Sequence, residues 1–101
     1  MLNHPLSDLI SQTELLENIA DQHGTPTYIY SKSRLEENID KLVRAISSNF
    51  ENYQIYYAVK ANSNIHIIKT LKNKFNDLGC DCSSPGELFA AKKAGLKMSE
   101  C

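Results

Sequence analysis

The run Tyr56-Tyr57-Ala58-Val59-Lys60-Ala61-Asn62-Ser63-Asn64 decides how this chain folds. With Gln54 and Ile55 ahead of it, the stretch 54–59 predicts a strand, and its nearly continuous apolar character suits a parallel sheet covered on both faces. The last side chain of that strand is an amine, followed by small polar residues. In a barrel of alternating strands and helices, the C-terminal end of a strand is where side chains enter the active site. A partly desolvated amine there can condense with a carbonyl. Lys60 is therefore a candidate Schiff-base lysine.

The pattern on either side of this strand alternates. Downstream, Ile65, Ile68 and Leu71 recur at helical spacing over about 64–74, Leu78 to Cys82 predicts a short strand, and Ser84 caps a further helix with Pro85 in its first turn and Gly95 at its end. Upstream, Ser33 and Glu36 make a capping box for a helix whose apolar face is Leu35, Ile39, Leu42, Val43 and Ile46. Before it, Thr27 to Tyr30 predicts a strand entered through Pro26, and Leu9 to Gln22 predicts one helix stopped by Gly24. This order of helices and strands is that of repeated β/α units.

Length limits how many such units are present. The chain has 101 residues, whereas a closed α/β barrel takes about 250. The expectation is a piece of a larger domain, ending where the helix stopped by Gly95 should hand over to another strand. Basic and acidic residues nearly balance, 11 against 12, and are interspersed, so no nucleic-acid partner is expected. Lys69, Lys72 and Lys74 line a solvated helix face in this reading. No apolar stretch approaches the roughly 20 residues of a membrane span, and Met1 to Pro5 lacks a basic lead into an apolar run. A cytoplasmic location is expected. The three cysteines are expected to be free, with Cys80 and Cys82 on one strand face as buried, inert thiols. His4, His23 and His66 do not group with them, so no metal site is expected.

The lysine run is similar to the pyridoxal-phosphate lysine signature of the group IV ornithine/diaminopimelate/arginine decarboxylases, enzymes of the alanine racemase fold type. The segment Gly79-Cys80-Asp81-Cys82-Ser83-Ser84-Pro85-Gly86-Glu87-Leu88-Phe89-Ala90-Ala91 resembles that family's next block at the expected distance, and Gly24-Thr25-Pro26-Thr27-Tyr28-Ile29-Tyr30 resembles the stretch opening its barrel region. The Ala-Tyr-Gly element that usually follows the lysine of alanine racemases is missing. The resemblance implies a partial TIM (β/α)8 barrel: residues 1–26 as an N-terminal helical arm, and 27–101 as the beginning of a pyridoxal-phosphate-binding barrel domain.

It also implies the chemistry. Pyridoxal 5'-phosphate is the expected cofactor, carried by Lys60. Ala58, two positions earlier and on the same strand face, is expected against the cofactor ring. Asp81 and Glu87 are expected near the lysine, their charge favouring ammonium while burial among Tyr57, Ala58 and the strand ends favours the neutral amine. Glu87 has a second reading, as the third residue of a capping box begun by Ser84. Loop amides are a competing partner for Asp81, and His66 is expected to be a solvated helix residue. Of Tyr56 and Tyr57, one should face the barrel interior and the other the helix layer.

The expected reaction is decarboxylation of a small amino acid. Lys60-Ala61-Asn62-Ser63-Asn64 is most similar to the diaminopimelate branch, which converts meso-diaminopimelate to L-lysine in lysine biosynthesis, whereas Asp81-Cys82 resembles the ornithine branch. Ornithine, lysine and arginine remain alternative substrates, and a non-catalytic homologue acting as a binding protein is an alternative of another class. The family implies a homodimer with shared active sites, and the 101 residues alone are expected to be inactive.

Overall fold

A computed structural model describes residues 6–101; His4 and the Met1 to Pro5 reading lie outside the described residues. Helices α1 (Ser7–Ile10), α2 (Thr13–His23) and α3 (Lys32–Ser47) precede strand β1 (Tyr56–Ala58). Helix α4 (Ile65–Lys74), strand β2 (Gly79–Asp81) and helix α5 (Pro85–Lys93) follow. The strands pair in parallel, with Tyr56 opposite Gly79, Tyr57 opposite Cys80 and Ala58 opposite Asp81. Helix α4 makes the crossover, so β1, α4 and β2 form one β/α/β unit.

The local chemistry explains most boundaries. Asn64 caps α4 by accepting the His66 amide on Oδ1, and Ser84 caps α5 by accepting the Glu87 amide on Oγ at 3.2 Å. Past α5, Gly95 takes φ 104°, a left-handed turn that a side chain would resist.

Several sequence expectations need correction, beginning with the N-terminal elements. The predicted helix from Leu9 to Gln22 is broken at Ser11 and Gln12, where Ser11 Oγ and Gln12 Nε2 both donate to the Asp8 carbonyl and end α1. Helix α3 is capped by Ser31, whose Oγ accepts the Arg34 amide, and not by Ser33. Thr27 to Tyr30 joins no ladder among the described residues, and Tyr28 is 91% exposed. Strand propensity marks a chain that can extend, but a strand also needs a partner to pair with.

The core has two parts. Ile39 of α3 packs with Ile67, Leu71 and Leu78, while Leu35 and Val43 flank them. On the α5 side, Val59, Ile68, Cys80, Ala91 and Leu96 are at most 3% exposed and form a second cluster with Ala90 and Ala94. Leu42, expected on the inner face of α3, is 47% exposed because only a narrow stripe of that helix meets α4. Lys72 also departs from its expected solvated position. Its Nζ donates to the Leu78 carbonyl at 2.9 Å and to the Asn76 carbonyl, and pairs with Glu100 at 3.3 Å, which ties the α4 end to the segment after α5.

Gly79 starts β2 under close contact. A Cβ there would lie 2.6 Å from the Tyr56 ring and 2.8 Å from the Glu100 carbonyl oxygen. The Tyr56 ring is 57% exposed and can swing aside. The Glu100 backbone is held by its own carboxylate, which accepts the Lys97 amide at 2.9 Å and pairs with Lys72. Gly79→Ala is therefore expected to cost about 1–3 kcal/mol, the usual range for overpacking, read as a lowered urea midpoint at unchanged slope.

Candidate active site

Because β1 and β2 run parallel and in register, their C-terminal ends lie side by side: Ala58 closes β1 directly opposite Asp81, which closes β2. The chain leaving β1 makes a single 3-10 turn, Val59–Ala61, and Lys60 is the middle residue of that turn. The chain leaving β2 turns through Cys82 and Ser83 into the N-terminus of α5, where Glu87 stands in the first turn. Lys60, Ala58, Asp81 and Glu87 are thus brought to one end of the sheet.

The details differ from a lysine on a strand. Since β1 stops at Ala58, the strand alternation that puts Ala58 and Lys60 on one face does not extend to Lys60. Val59 is fully buried and anchors the turn, while Lys60 is exposed. The expected burial of the amine by Tyr57 and Ala58 is absent among the described residues, because nothing there covers the open end of the two strands. The Lys60 amine has no hydrogen bond or ion pair among the described residues, and the Asp81 carboxylate has none either, so the loop amides expected to compete for Asp81 do not bind it.

Glu87 is more constrained. Its carboxylate accepts the Ser83 amide at 3.2 Å, both Ser83 Oγ contacts at 3.1 and 3.0 Å, and Ser84 Oγ at 3.0 Å. These bonds, the Ser83 amide foremost, hold its carboxyl below the usual carboxylate range, and the positive charge of Lys60 adds a smaller effect in the same direction. The expected capping box is half formed: Ser84 Oγ accepts the Glu87 amide, but the Glu87 carboxylate takes the amide of Ser83 in place of that of Ser84, while the charge of Lys60 acts on the same carboxylate.

Contacts around the lysine turn that sequence reading missed centre on Asn62. Tyr57 Oη donates to the Asn62 carbonyl at 2.8 Å, Asn62 Nδ2 donates to Tyr30 Oη at 3.0 Å, and Asn62 Oδ1 accepts the Asn64 amide at 3.0 Å. Tyr57 faces the helix layer and touches both core clusters, whereas Tyr56 lies on the open face, as the alternation predicts. His66 caps nothing at the lysine turn; it lines a cleft with Lys32, Glu36 and Lys69.

Of the two thiols expected to be buried on one strand face, Cys80 is buried in β2, whereas Cys82 lies past the end of that strand and is only partly buried. Burial, with smaller help from Cys82, pushes the Cys80 thiol up to about 11, and burial also raises that of Cys82. At pH 8 a thiol of that kind is about one part in a thousand thiolate. Cys80 in the folded protein is expected to resist iodoacetamide and to react only after denaturant is added, as followed by peptide mass spectrometry. No group of three or more metal-ligating side chains occurs among the described residues, and no described helix is long and apolar enough to cross a membrane.

A β/α unit that presents a lysine just past its first strand, with two acids at the same end, matches a known class in sequence. Residues 36–100 match the family model of the pyridoxal-dependent decarboxylases, pyridoxal binding domain, and the chain belongs to that family. It is 38% identical over 88 residues to the diaminopimelate decarboxylase of Methanothermobacter thermautotrophicus, covering 87% of this chain and 20% of that protein. Identity is 41% to the diaminopimelate decarboxylase of Aquifex aeolicus, covering 80% of this chain and 18% of that protein, and 40% to that of Campylobacter jejuni, covering 80% and 19%. The chain therefore spans about a fifth of the length of these curated relatives. No solved structure matches it.

Proposed function

We propose that this chain is the opening part of a pyridoxal 5'-phosphate-dependent amino-acid decarboxylase, with Lys60 as the covalent anchor of the cofactor and meso-diaminopimelate, converted to L-lysine, as the substrate. The observation that carries the reading is the place of Lys60: in the turn just past the C-terminal end of β1, at the end of the sheet where Asp81 and Glu87 also stand, with no partner for its amine among the described residues. The relatives' common name supports diaminopimelate over ornithine, lysine or arginine.

The donor chemistry fits the cofactor. A primary amine, reactive in its neutral form, is what an aldehyde requires, and Ala58, half-buried beside Asp81, is small enough to leave room for a ring. When bound, pyridoxal phosphate supplies an electron sink for the bond that breaks as carbon dioxide leaves. The protein's own groups do the rest. Lys60 Nζ would hold the cofactor through its aldehyde, and once freed by a substrate amine it would be placed to carry a proton to or from the reacting carbon. Glu87 keeps a negative charge facing that amine because serine donors fix its ionised form. Asp81 adds a second carboxylate at the same end.

In this reading residues 1–26 are the helical arm and 27–101 begin a (β/α)8 barrel. The two-stranded sheet then finds further partners in the remainder of a longer protein, which acts in the cytoplasm as a homodimer. The exposed aromatic side chains of Tyr28, Phe50, Tyr56 and Phe89 support a larger assembly around this segment.

The test is to incubate the full-length protein with pyridoxal phosphate, reduce it with borohydride and map the modified peptide. A pyridoxyl group on Lys60 Nζ, with carbon dioxide released from meso-diaminopimelate in preference to ornithine, lysine or arginine, is the expected result. An unmodified Lys60 in folded protein overturns the reading in favour of a non-catalytic binding homologue.

A further inference from the structure

Among the described residues nothing bonds to the Lys60 amine, so the position of the amine depends on how firmly its backbone turn is held. That turn is short. Its internal backbone bond runs from the Asn62 amide to the Val59 carbonyl at 3.1 Å, which by itself leaves a free hinge between strand and helix.

One end of the turn is fixed by Val59, fully buried in the α5-side core. The other end is fixed through Asn62. Its carbonyl accepts the Tyr57 hydroxyl, so the strand residue before the turn reaches over and bonds the residue after it. Its Oδ1 accepts the Asn64 amide, and Asn64 in turn caps α4. Its Nδ2 is left to find an acceptor, and the one present is Tyr30 Oη, 32 positions earlier in sequence. Tyr30 comes from the 27–30 stretch, which pairs with no strand among the described residues, and this bond links that stretch to the lysine turn. Burial raises the Tyr57 hydroxyl above its ordinary range, and a phenol is protonated at neutral pH in any case, so it is free to donate.

We infer that Tyr30 and Asn62 are positioning residues: together with Tyr57 they clamp the 59–62 turn and so set where the Lys60 amine meets the cofactor aldehyde. The inference rests on Lys60 being the anchor proposed above. It assigns a purpose to the unpaired Tyr30 segment, which the β/α pattern alone leaves unexplained. Neither residue touches the reacting atoms; both act through the backbone of the turn.

Tyr30→Phe removes one hydroxyl from a half-exposed ring and leaves the core untouched, so the variant folds. In the full-length protein without cofactor, amide hydrogen exchange of the peptide covering 59–64 is expected to speed up about three- to tenfold, the change one neutral hydrogen bond allows, with exchange in α5 unchanged. Loaded with pyridoxal phosphate, the variant should release cofactor more readily by a similar factor. Asn62→Ala should do the same or more, and Tyr30→Phe added to Asn62→Ala should change nothing further, because the bond is already lost. Unchanged exchange in 59–64, or additive effects of the two substitutions, would overturn the clamp. If the wild-type protein takes up no cofactor, the function proposed above fails, while the exchange measurement still judges the clamp separately.

Discussion

Lys60→Ala is expected to abolish stable cofactor retention and to cut decarboxylation by at least 10²–10⁴-fold, about what the loss of a proton-transferring group alone costs, with the lost covalent anchor adding to it. Stability should hardly change. Lys60 is exposed and has no hydrogen bond or ion pair among the described residues, so the substitution resembles an ordinary surface change, within about 0.5 kcal/mol. That separation of activity from stability is what marks the residue as chemical. Lys60→Arg sharpens the test: it keeps length and charge, but a guanidinium cannot shed its proton near neutral pH and cannot replace the amine toward an aldehyde. The arginine variant should therefore behave as the alanine one does. Both are read by the cofactor absorbance that survives gel filtration and by carbon dioxide release from meso-diaminopimelate. Retention of bound cofactor by the arginine variant would mean that Lys60 serves as a cation only.

How much of this was legible beforehand depends on the range of the interaction. Ser84, Gly95 and the Ile65-Ile68-Leu71 face are local signals, and each lies where the pattern puts it. The β1 and β2 runs were also readable, though each strand is only three residues long because ladder bonds stop where the neighbouring chain turns away. Thr27 to Tyr30 has strand composition without a strand's partner, and Ser11 with Gln12 breaks a periodic helix through bonds to the Asp8 carbonyl that periodicity does not encode. At the site, the family resemblance names Lys60, Ala58, Asp81 and Glu87; the strand register sets only Ala58 opposite Asp81, and the chain leaving each strand places Lys60 and Glu87. The exposure of Lys60 and the bond between Asn62 and Tyr30 were invisible, since both depend on where distant segments come to rest.

The second large effect is expected at Ile68, and it connects the core to the lysine turn. Ile68 is fully buried on the inner face of α4, in the cluster that includes Val59, Cys80 and Ala91. Truncation to alanine removes buried carbon and leaves a cavity that this cluster cannot easily close, because Ala90, Ala91 and Ala94 are already small and Val59 is tied to β1 by the chain. Ile68→Ala should therefore cost about 2–5 kcal/mol, a large share of the roughly 5–15 kcal/mol available to a domain. Ile68→Val, which removes one methyl group, should cost only about 0.5–1.5 kcal/mol. Urea unfolding gives both values as midpoint shifts at constant slope. Because Val59 borders the same space, the alanine variant should also loosen the 59–61 turn and weaken cofactor retention under conditions where the protein is still folded. A full loss of stability with unchanged cofactor release would mean that the turn is held by the Asn62 side alone, and that the buried Val59 contributes to folding without positioning Lys60.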